Sequence, residues 1–326
     1  MSAIIADKMI IAAESAVQRD QGNAYRGTLQ KVLPHLGDAY RQNEDAFRTH
    51  MGASIIGKEC GRAIWYDWHW ATPAQFSGQV LRLFNRGHIE EGRIISLLLC
   101  AGVQIYQQDE KGNQFRVSVM GGHFGGSGDG ICVGVPDLPV GLRALLECKT
   151  HNDKSFKELA GTNWSKYVKA LLDPRLPRIR FDGVGVRDAK FDHFVQMQVY
   201  MHGMNLSVAL YVAVNKNDDF IYFELVPYDA EFAAKFYQRA ATIIPLREAP
   251  KKVSNSPGWK ACQWCDHRPV CHLRERPAQN CRTCTWAKPH DDGSWKCHVN
   301  PGEPATLTKA QQLVGCGSYT LHEVFK

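Results

Sequence analysis

The sequence predicts an α/β protein in which a mixed β-sheet is flanked by helices. Apolar residues recur at helical spacing from Ile10 to Leu36 and again from Leu81 to Ala101. Between residues 103 and 149, short β-rich runs alternate with turns that contain Gly, Asn and Pro. A helix from Phe191 to His202 then precedes two strands and a helix over 229–245. Alternating helices and strands of this kind favour one sheet covered by helices.

Composition and charge limit the class of protein. The chain has 326 residues, of which 44% are hydrophobic and 22% charged, as in ordinary globular proteins. A formal net charge of +6 permits a phosphate-rich partner without requiring one. The apolar stretch Ile94 to Val103 is far shorter than the ~20 residues that span a bilayer. Asp7 and Lys8 interrupt the N-terminal apolar residues, so no signal segment is visible. We expect a soluble, cytoplasmic protein without a membrane partner.

The pattern along the chain predicts four segments. The first is helical, the second is the α/β core, and the last two carry most of the cysteines. Their predicted bounds are 1–50, 51–250, 251–277 and 278–326. Cys60 lies in the second segment, but we expect it to join the cysteines of the third.

Chemistry-bearing residues concentrate on one predicted strand, at Glu147-Cys148-Lys149. Side chains alternate along a strand, so Glu147 and Lys149 share a face. Upstream, Asp129 lies among glycines that would let a substrate approach closely. Two carboxylates and an ammonium suit phosphodiester hydrolysis, in which Mg²⁺ or Mn²⁺ polarises the phosphate and lowers the pKa of the attacking water. Two alternatives stay open: Glu147 and Lys149 could form a surface ion pair, and Asp129 could be a turn residue. Asp137, in Pro136-Asp137, is the second candidate for the catalytic aspartate.

Four blocks in this order resemble the PD-(D/E)xK nucleases, in particular their RecB-like exonuclease branch. The resemblance covers residues 84–202. The blocks are Arg86 to Glu91, Gly-Asp129-Gly, Leu-Leu-Glu147-Cys-Lys149, and His193 to Tyr200. The fold implied is a restriction-endonuclease-like mixed sheet flanked by helices, with 51–250 as the nuclease core.

The resemblance also implies roles for individual residues. Asp129 and Glu147 would hold the metal, Lys149 would orient or activate the water, and the carbonyl of Cys148 would complete the shell. In the first block, His88 and Glu91 are three residues apart and share a helix face. Which of the two is the metal ligand stays open. Glu90 should face solvent. Two residues of the fourth block would support the site or contact DNA, namely Gln196 and Tyr200.

Basic and aromatic residues alternate between the third and fourth blocks. Basic side chains neutralise phosphates, and aromatic rings stack on unpaired bases. A solvated charged face is the alternative interpretation. The candidate DNA contacts are Lys154, Lys157, Trp164, Lys166, Tyr167, Arg178, Arg180 and His193.

A first cysteine set has the spacing C-x2-C-x5-C at Cys262, Cys265 and Cys271. Three thiolates are incomplete for zinc or for a cubane cluster, and Cys60 is the natural fourth ligand. One ligand before the core and three after it is the layout of the iron–sulfur RecB-like nucleases, which include AddB-type subunits and CRISPR-associated adaptation nucleases. The resemblance implies a structural [4Fe–4S] cluster. The alternative is zinc with a histidine as the fourth ligand, either His267 or His272.

A second cysteine set follows in the last segment. Cys281 and Cys284 form a C-x2-C pair, and Cys297 and Cys316 follow. This pattern resembles a treble-clef or ribbon zinc site, in which His290 or His298 could replace one of the last two cysteines. The tail is similar to that of phage-encoded cluster nucleases.

Together these features predict a metal-dependent DNA exonuclease that acts on single strands or free ends. The resemblance places it in phage or bacterial recombination or repair, with DNA as substrate and a single-strand annealing protein as a further partner, and it leaves a homo-oligomer open. Two alternatives remain: a CRISPR-type adaptation nuclease that trims DNA ends, and a non-catalytic DNA-binding assembly module.

Overall fold

The computed structural model describes residues 2–40, 47–300 and 302–325. In these ranges the helices are α1 Asp7–Gln18, α2 Asn23–Val32, α3 Gly61–Trp68, α4 Gly78–Cys100, α5 Asp153–Ala160, α6 Trp164–Leu172, α7 Gly185–Ala189, α8 Phe191–Met204, α9 Ala230–Ile243, α10 Lys260–Gln263, α11 Arg268–His272 and α12 Lys309–Val314. The strands are β1 Ile4–Ile5, β2 Met51–Gly52, β3 Gln104–Tyr106, β4 Arg116–Val119, β5 Phe124–Ser127, β6 Gly130–Val133, β7 Arg143–His151, β8 Val208–Asn215, β9 Ile221–Pro227, β10 Ala287–Pro289, β11 Trp295–Cys297 and β12 Ala305–Leu307.

The chain divides into two compact units, and each is assembled from three separate segments. Unit 1 comprises Met1–Asn43, Phe76–Arg116 and Ser127–Ala230, and unit 2 comprises Glu44–Gln75, Val117–Gly126 and Glu231–Lys326. The four-segment division expected from the sequence remains a prediction.

Unit 1 is built on a six-stranded mixed sheet with the order β1-β9-β8-β7-β6-β3. The central strands β7 and β8 run parallel, and the other neighbours pair antiparallel. All eight residues of β8 are buried, so the core lies around the centre of this sheet. Helices α4, α5 and α8 pack against β7. The predicted α/β class with a central mixed sheet and flanking helices is therefore confirmed.

The helices that reach the centre of the sheet lie close to where the sequence places them. Helix α4 begins at Gly78 and ends at Cys100, and Gly102 adopts the left-handed conformation that follows many helices. Helix α8 extends two residues past the predicted His202. Strands β8 and β9 match the two predicted strands that follow it.

Unit 2 holds two small sheets, β2-β5-β4 and the antiparallel meander β10-β11-β12. Its core contains a guanidinium enclosed by aromatic rings. Arg282 is buried, and its Cζ lies 3.8 Å from the ring centroid of Trp70 and 4.6 Å from those of Trp68 and Trp295. The guanidinium donates hydrogen bonds to the carbonyls of Trp68 and Thr49. Cation–π contacts and carbonyl acceptors together compensate a charge that burial would otherwise disfavour.

No helix in the described part of the chain is both long enough and apolar enough to cross a bilayer.

Candidate functional site

The candidate site is centred on β7, in the middle of the unit 1 sheet. Glu147 is fully buried, and the ammonium of Lys149 donates to its Oε1. The other carboxylate oxygen, Glu147 Oε2, is buried and has no hydrogen-bond partner in the described structure. A buried carboxylate oxygen without a partner is unfavourable unless a ligand or ion completes it.

Asp129 lies immediately before β6, the antiparallel neighbour of β7. Its Oδ2 accepts a hydrogen bond of 2.7 Å from the backbone N–H of Cys148. The adjacent glycine is required by packing, because a Cβ at Gly130 would lie 2.9 Å from the carbonyl oxygen of Tyr106. The sheet therefore holds Asp129 beside the Glu147–Lys149 pair.

Helix α4 contributes the first block. Glu91 interacts electrostatically with Asp129, Glu147 and Lys149, while His88 interacts with Asp129. The structure thus brings both candidates to the same cluster. Glu90 was expected to face solvent, and that expectation is wrong: its side chain is buried and accepts a 2.8 Å ion-pair contact from Arg93.

Burial and mutual repulsion shift the ionisation of these acids. Burial, followed by the charge of Asp129, raises the pKa of Glu91 to about 8. Burial also raises the pKa values of Asp129 and Glu147, and Lys149 opposes both increases. For Lys149, burial lowers the pKa, but the charges of Glu147 and Asp129 outweigh it and raise the pKa overall. The lysine is therefore held as an ammonium among carboxylates that repel one another.

The oxygen-rich cluster fits a divalent cation only in part. Among the described residues, no group of three or more His, Cys, Asp or Glu side chains is arranged to hold a metal ion, and this applies to these carboxylates and to both cysteine sets. The residue types nevertheless suit a hard cation, which prefers carboxylate and carbonyl oxygens. Such an ion would give the unpartnered oxygen of Glu147 a partner. It would also favour the ionised form of the carboxylates, whose pKa values burial raises.

Helix α8 lines the same cluster with the fourth block. Gln196 Nε2 donates to the hydroxyl of Tyr200 at 3.3 Å. Tyr200 is buried and interacts electrostatically with Glu147, Lys149 and Asp129. Tyr200 therefore lies beside the carboxylates, and Gln196 is linked to it; their roles at the site remain a prediction.

A buried polar network behind Lys149 was missed by the sequence analysis. The hydroxyl of Tyr211 on β8 lies 3.0 Å from His151 Nε2 and 3.0 Å from His193 Nδ1. Burial, reinforced by nearby lysines that include Lys149, lowers the pKa of His151 to about 4 and that of His193 further. Both imidazoles are thus neutral at neutral pH. One signal for His151 was available, because it follows Lys149 by two residues on the same face of β7.

The predicted DNA contacts fall into three groups. The first is His193 alone, whose ring contacts the Tyr211 hydroxyl in the network described above. Trp164 and Tyr167 stack at 5.4 Å in an aromatic cluster with Phe181 and Tyr222, and only 3% and 8% of their surfaces are exposed. The structure gives these two rings a packing role in unit 1. The basic members of the set are exposed, namely Lys154, Lys157, Lys166, Arg178 and Arg180.

The second-ranked aspartate has a structural role. The carboxylate of Asp137 accepts hydrogen bonds from the backbone N–H groups of Lys8 at 3.1 Å and Met9 at 2.7 Å. These donors are free because they lie in the first turn of α1. Asp137 therefore caps this helix.

The first cysteine set surrounds one cavity in unit 2. Cys60, Cys262, Cys265 and Cys271 all line it. His267, an alternative ligand, also borders the cavity, but its Nδ1 lies 3.1 Å from Thr72 Oγ1 and its Nε2 lies 3.0 Å from Asp67 Oδ1. Both ring nitrogens thus have other partners. His272 also borders the cavity. The four thiols suit either an iron–sulfur cluster or zinc.

The second cysteine set surrounds another cavity in unit 2. Its lining includes Cys281, Cys284, Cys297 and Cys316, and it excludes both histidines proposed as substitutes. Instead, the Nε2 atoms of His290 and His298 lie 3.0 Å apart. Four sulfurs around one small cavity match the donor set of a structural zinc site.

Comparisons with known proteins leave the family open. No protein-family model matches the chain, and no curated protein matches it. Solved structures that match include SSO0001, at 14% identity and a TM-score of 0.33 over 78% of this chain and 96% of that one. They also include LHK-Exo, an alkaline exonuclease from Laribacter hongkongensis, at 11% identity and a TM-score of 0.35 over 60% of this chain and 86% of that one. Its complex with dAMP matches at 12% identity and a TM-score of 0.36, with the same coverage. Likeness at this level carries no argument about activity.

Proposed function

We propose that this protein is a metal-dependent nuclease of the PD-(D/E)xK type that hydrolyses phosphodiester bonds in DNA. The observation that carries the proposal is the unpartnered, buried oxygen of Glu147 beside Lys149 and Asp129. A carboxylate oxygen of this kind needs a cation or a proton. The carboxylates of Asp129 and Glu91 lie nearby, and several carboxylates in one place favour a cation over a proton as the partner.

Each residue of the cluster has a role in this proposal. Asp129 and Glu147 would hold Mg²⁺ or Mn²⁺, assisted by Glu91 or His88 and by the carbonyl of Cys148. When bound, such an ion polarises the scissile phosphate and lowers the pKa of the attacking water.

Lys149 would act as a cation and not as a base, because its pKa is raised. It would orient the water and offset negative charge on the phosphate. On α8, Gln196 and Tyr200 would hold the carboxylates in place through contacts that exclude solvent.

The proposed substrate is DNA that is single-stranded or has free ends, cleaved exonucleolytically. Its support is the exposed basic set that follows β7, where phosphates would be neutralised. The proposed setting is recombination or repair in the cytoplasm of a bacterium or a phage-infected cell, where a single-strand annealing protein is a candidate partner and the oligomeric state stays open.

The two cysteine sets would hold structural cofactors within unit 2. Cys60, Cys262, Cys265 and Cys271 would bind a [4Fe–4S] cluster, and Cys281, Cys284, Cys297 and Cys316 would bind Zn²⁺. The support is that each set lines a single cavity. The first would cross-link segments about 200 residues apart, the second would cross-link the last segment to itself, and such links stabilise small units.

The experiment uses anaerobically purified protein with Mg²⁺ or Mn²⁺ on matched linear and circular DNA, both single- and double-stranded. Lys149→Ala tests the site, and Lys31→Ala on the exposed side of α2 is the matched control. We expect loss of linear DNA only, reduced at least a hundredfold by Lys149→Ala and unaffected by Lys31→Ala. Cutting of circles would make the reaction endonucleolytic. No cleavage of any substrate would favour a binding module, and a stable complex with an integrase would favour an adaptation nuclease.

A further inference from the structure

The first half of α4, residues 78–89, contains no buried residue. Burial along this helix begins only at Glu90. Exposed apolar side chains nevertheless occupy the half-helix and the residues just before it. Phe76, Leu81, Leu83, Phe84 and Ile89 are each between 36% and 48% exposed. We call Phe76, Leu81 and Phe84 the α4 face. Arg82 lies about 100° further round the helix from Leu81 and borders this face.

This arrangement is unfavourable in water. The twelve residues extend about 18 Å from the buried half of the helix, and their apolar side chains remain in water. Exposed apolar side chains that are grouped on one side of a helix indicate an interaction site more often than ones that are scattered singly. The α4 face is therefore a candidate interaction surface.

The charge of this region indicates what the occupant is. From Thr72 to Ile89 the sequence contains no acidic residue, but it contains Arg82, Arg86 and His88. Arg86 donates to the carbonyl of Lys216 at 2.8 Å, which fixes its guanidinium. Arg82 is exposed and makes no ion pair with any residue that the structure describes. The occupant should therefore be anionic as well as apolar.

Two aromatic rings on this face are already arranged as a pair. Phe76 and Phe84 make an edge-to-face contact with their centroids 4.9 Å apart. Both rings are more than 40% exposed, so each still presents surface to a partner. Exposed rings that are bordered by a guanidinium without an ion pair are the elements that bind unpaired bases and their phosphates.

We propose that the α4 face binds an unpaired DNA strand, with bases against Phe76, Leu81 and Phe84 and a phosphate at Arg82. The inference rests on the proposed function, because the same helix continues into His88 and Glu91 of the candidate site. A strand held along α4 would lead directly to the carboxylates. A second copy of this chain is a poorer occupant, since a symmetric interface would bring the same arginines together.

The test measures equilibrium binding of a fluorescein-labelled single-stranded 20-mer to the full chain by anisotropy, with Ca²⁺ in place of Mg²⁺ or Mn²⁺. The variants are Phe84→Ala and Arg82→Gln. Ile11→Ala on the exposed side of α1 and Arg19→Gln, at the exposed residue that follows α1, are similar changes away from α4 and serve as controls. Thermal melting verifies that every variant is folded.

We expect Phe84→Ala to weaken single-strand binding about tenfold, as loss of one stacked base would. Arg82→Gln should weaken binding and make it less dependent on salt, because one phosphate contact is lost. Both controls should bind like the unmodified protein. Unchanged single-strand affinity in the two α4 variants would overturn the inference, and so would dissociation of an oligomer with unchanged affinity.

Failure of this inference is distinguishable from failure of the proposed function. If the protein cleaves DNA but the α4 variants bind normally, only the inference fails. If the protein cleaves no DNA but the α4 variants lose single-strand affinity, the nuclease proposal fails and the strand-binding face stands.

Discussion

Tyr211 lies in register with Glu147 on the neighbouring parallel strand, and its hydroxyl bridges His151 and His193. Glu147 and Tyr211 are thus adjacent on two buried central strands. The hydroxyl can donate to one neutral imidazole and accept from the other. This network lies directly beside the carboxylate–lysine pair and interacts electrostatically with Lys149. We infer that it maintains the position of that pair.

The first prediction concerns Tyr211→Phe, which removes the bridging hydroxyl and keeps the ring. Loss of one buried hydrogen-bonded group should lower kcat about tenfold, with KM and Mn²⁺ affinity unchanged. Tyr222→Phe removes a buried hydroxyl from the next strand, where it donates to Glu224, and should leave kcat within about twofold. Steady-state kinetics on single-stranded DNA decides the question. An equal loss of kcat in the two variants would contradict the prediction and would mean that Tyr211 contributes only through packing.

A second prediction separates the two candidate metal ligands on α4. Glu91 interacts with both Asp129 and Glu147, whereas His88 interacts with Asp129. Isothermal titration with Mn²⁺ should therefore show at least tenfold weaker binding in Glu91→Gln and less than threefold weaker binding in His88→Gln. Since protons compete for Glu91, whose pKa is about 8, Mn²⁺ affinity should increase as the pH rises toward that value. The opposite order of the two variants would assign the ligand to His88.

The third prediction concerns the cysteines. Cys60→Ser should abolish brown colour and bound iron but keep zinc, because it alters only the first cavity. Cys316→Ser should lose zinc and keep iron, because that residue lines only the second cavity. Cys100→Ser, at a half-buried thiol near Thr28, is the control and should change neither metal. Elemental analysis of anaerobic preparations provides the measurement. Zinc in both cavities of the unmodified protein would exclude the iron–sulfur assignment.

A fourth prediction follows from Glu224, a buried carboxylate on β9. Burial raises its pKa from 4.5 to about 7, although the hydroxyl of Tyr222 donates to it at 2.6 Å. The folded protein therefore holds this proton more tightly than the unfolded chain does. This contribution to stability is fully present below pH 4.5 and is lost as the pH rises to about 7.

Melting temperatures measured between pH 5 and pH 8 test this. Glu224→Gln cannot ionise at this position, so its melting temperature should rise relative to that of the unmodified protein as the pH rises. The exposed Glu110→Gln should show no such trend. A constant difference between Glu224→Gln and the unmodified protein across this range would contradict the prediction.

The fifth prediction tests the choice of Asp129 over Asp137. Asp137→Ala removes the acceptor of two backbone N–H groups in α1, so the free energy of unfolding should fall by about 1 kcal/mol. Nuclease activity should persist at temperatures well below the melting point. Asp129→Asn should do the reverse, with activity lost and stability largely kept. Chemical denaturation and a cleavage assay on the same preparations distinguish the two.

Local patterns were sufficient to predict the elements that carry the candidate site. Strand β7 and helices α4 and α8 combine clear periodicity with motif residues, and each lies within a few residues of its predicted place. The short meander β10-β11-β12 was not predicted, because strands of three residues carry too little alternation to be seen.

Features that depend on distant pairing were not predictable. The contact of Tyr211 with His151 depends on the register between β7 and β8, which are separated by more than fifty residues. Trp164 and Tyr167 lie between lysines, as a DNA-binding face would, but tertiary contacts with Phe181 and Tyr222 bury them. The burial of Glu90 was not predicted either. Its partner Arg93 is local, but Arg93 also pairs with Asp219, which is distant in sequence.

The three-segment construction of unit 2 has a consequence for biosynthesis. Cys60 belongs to its first segment, and its three companions at the same cavity belong to its last. At 5–20 residues per second, a ribosome needs on the order of ten to forty seconds to make the roughly 200 residues between them. During that interval the Cys60 thiol leaves the exit tunnel before its companions exist. Binding of the proposed cluster would therefore await synthesis of residue 271, and a nascent chain stalled before residue 262 would offer only one of the four sulfurs.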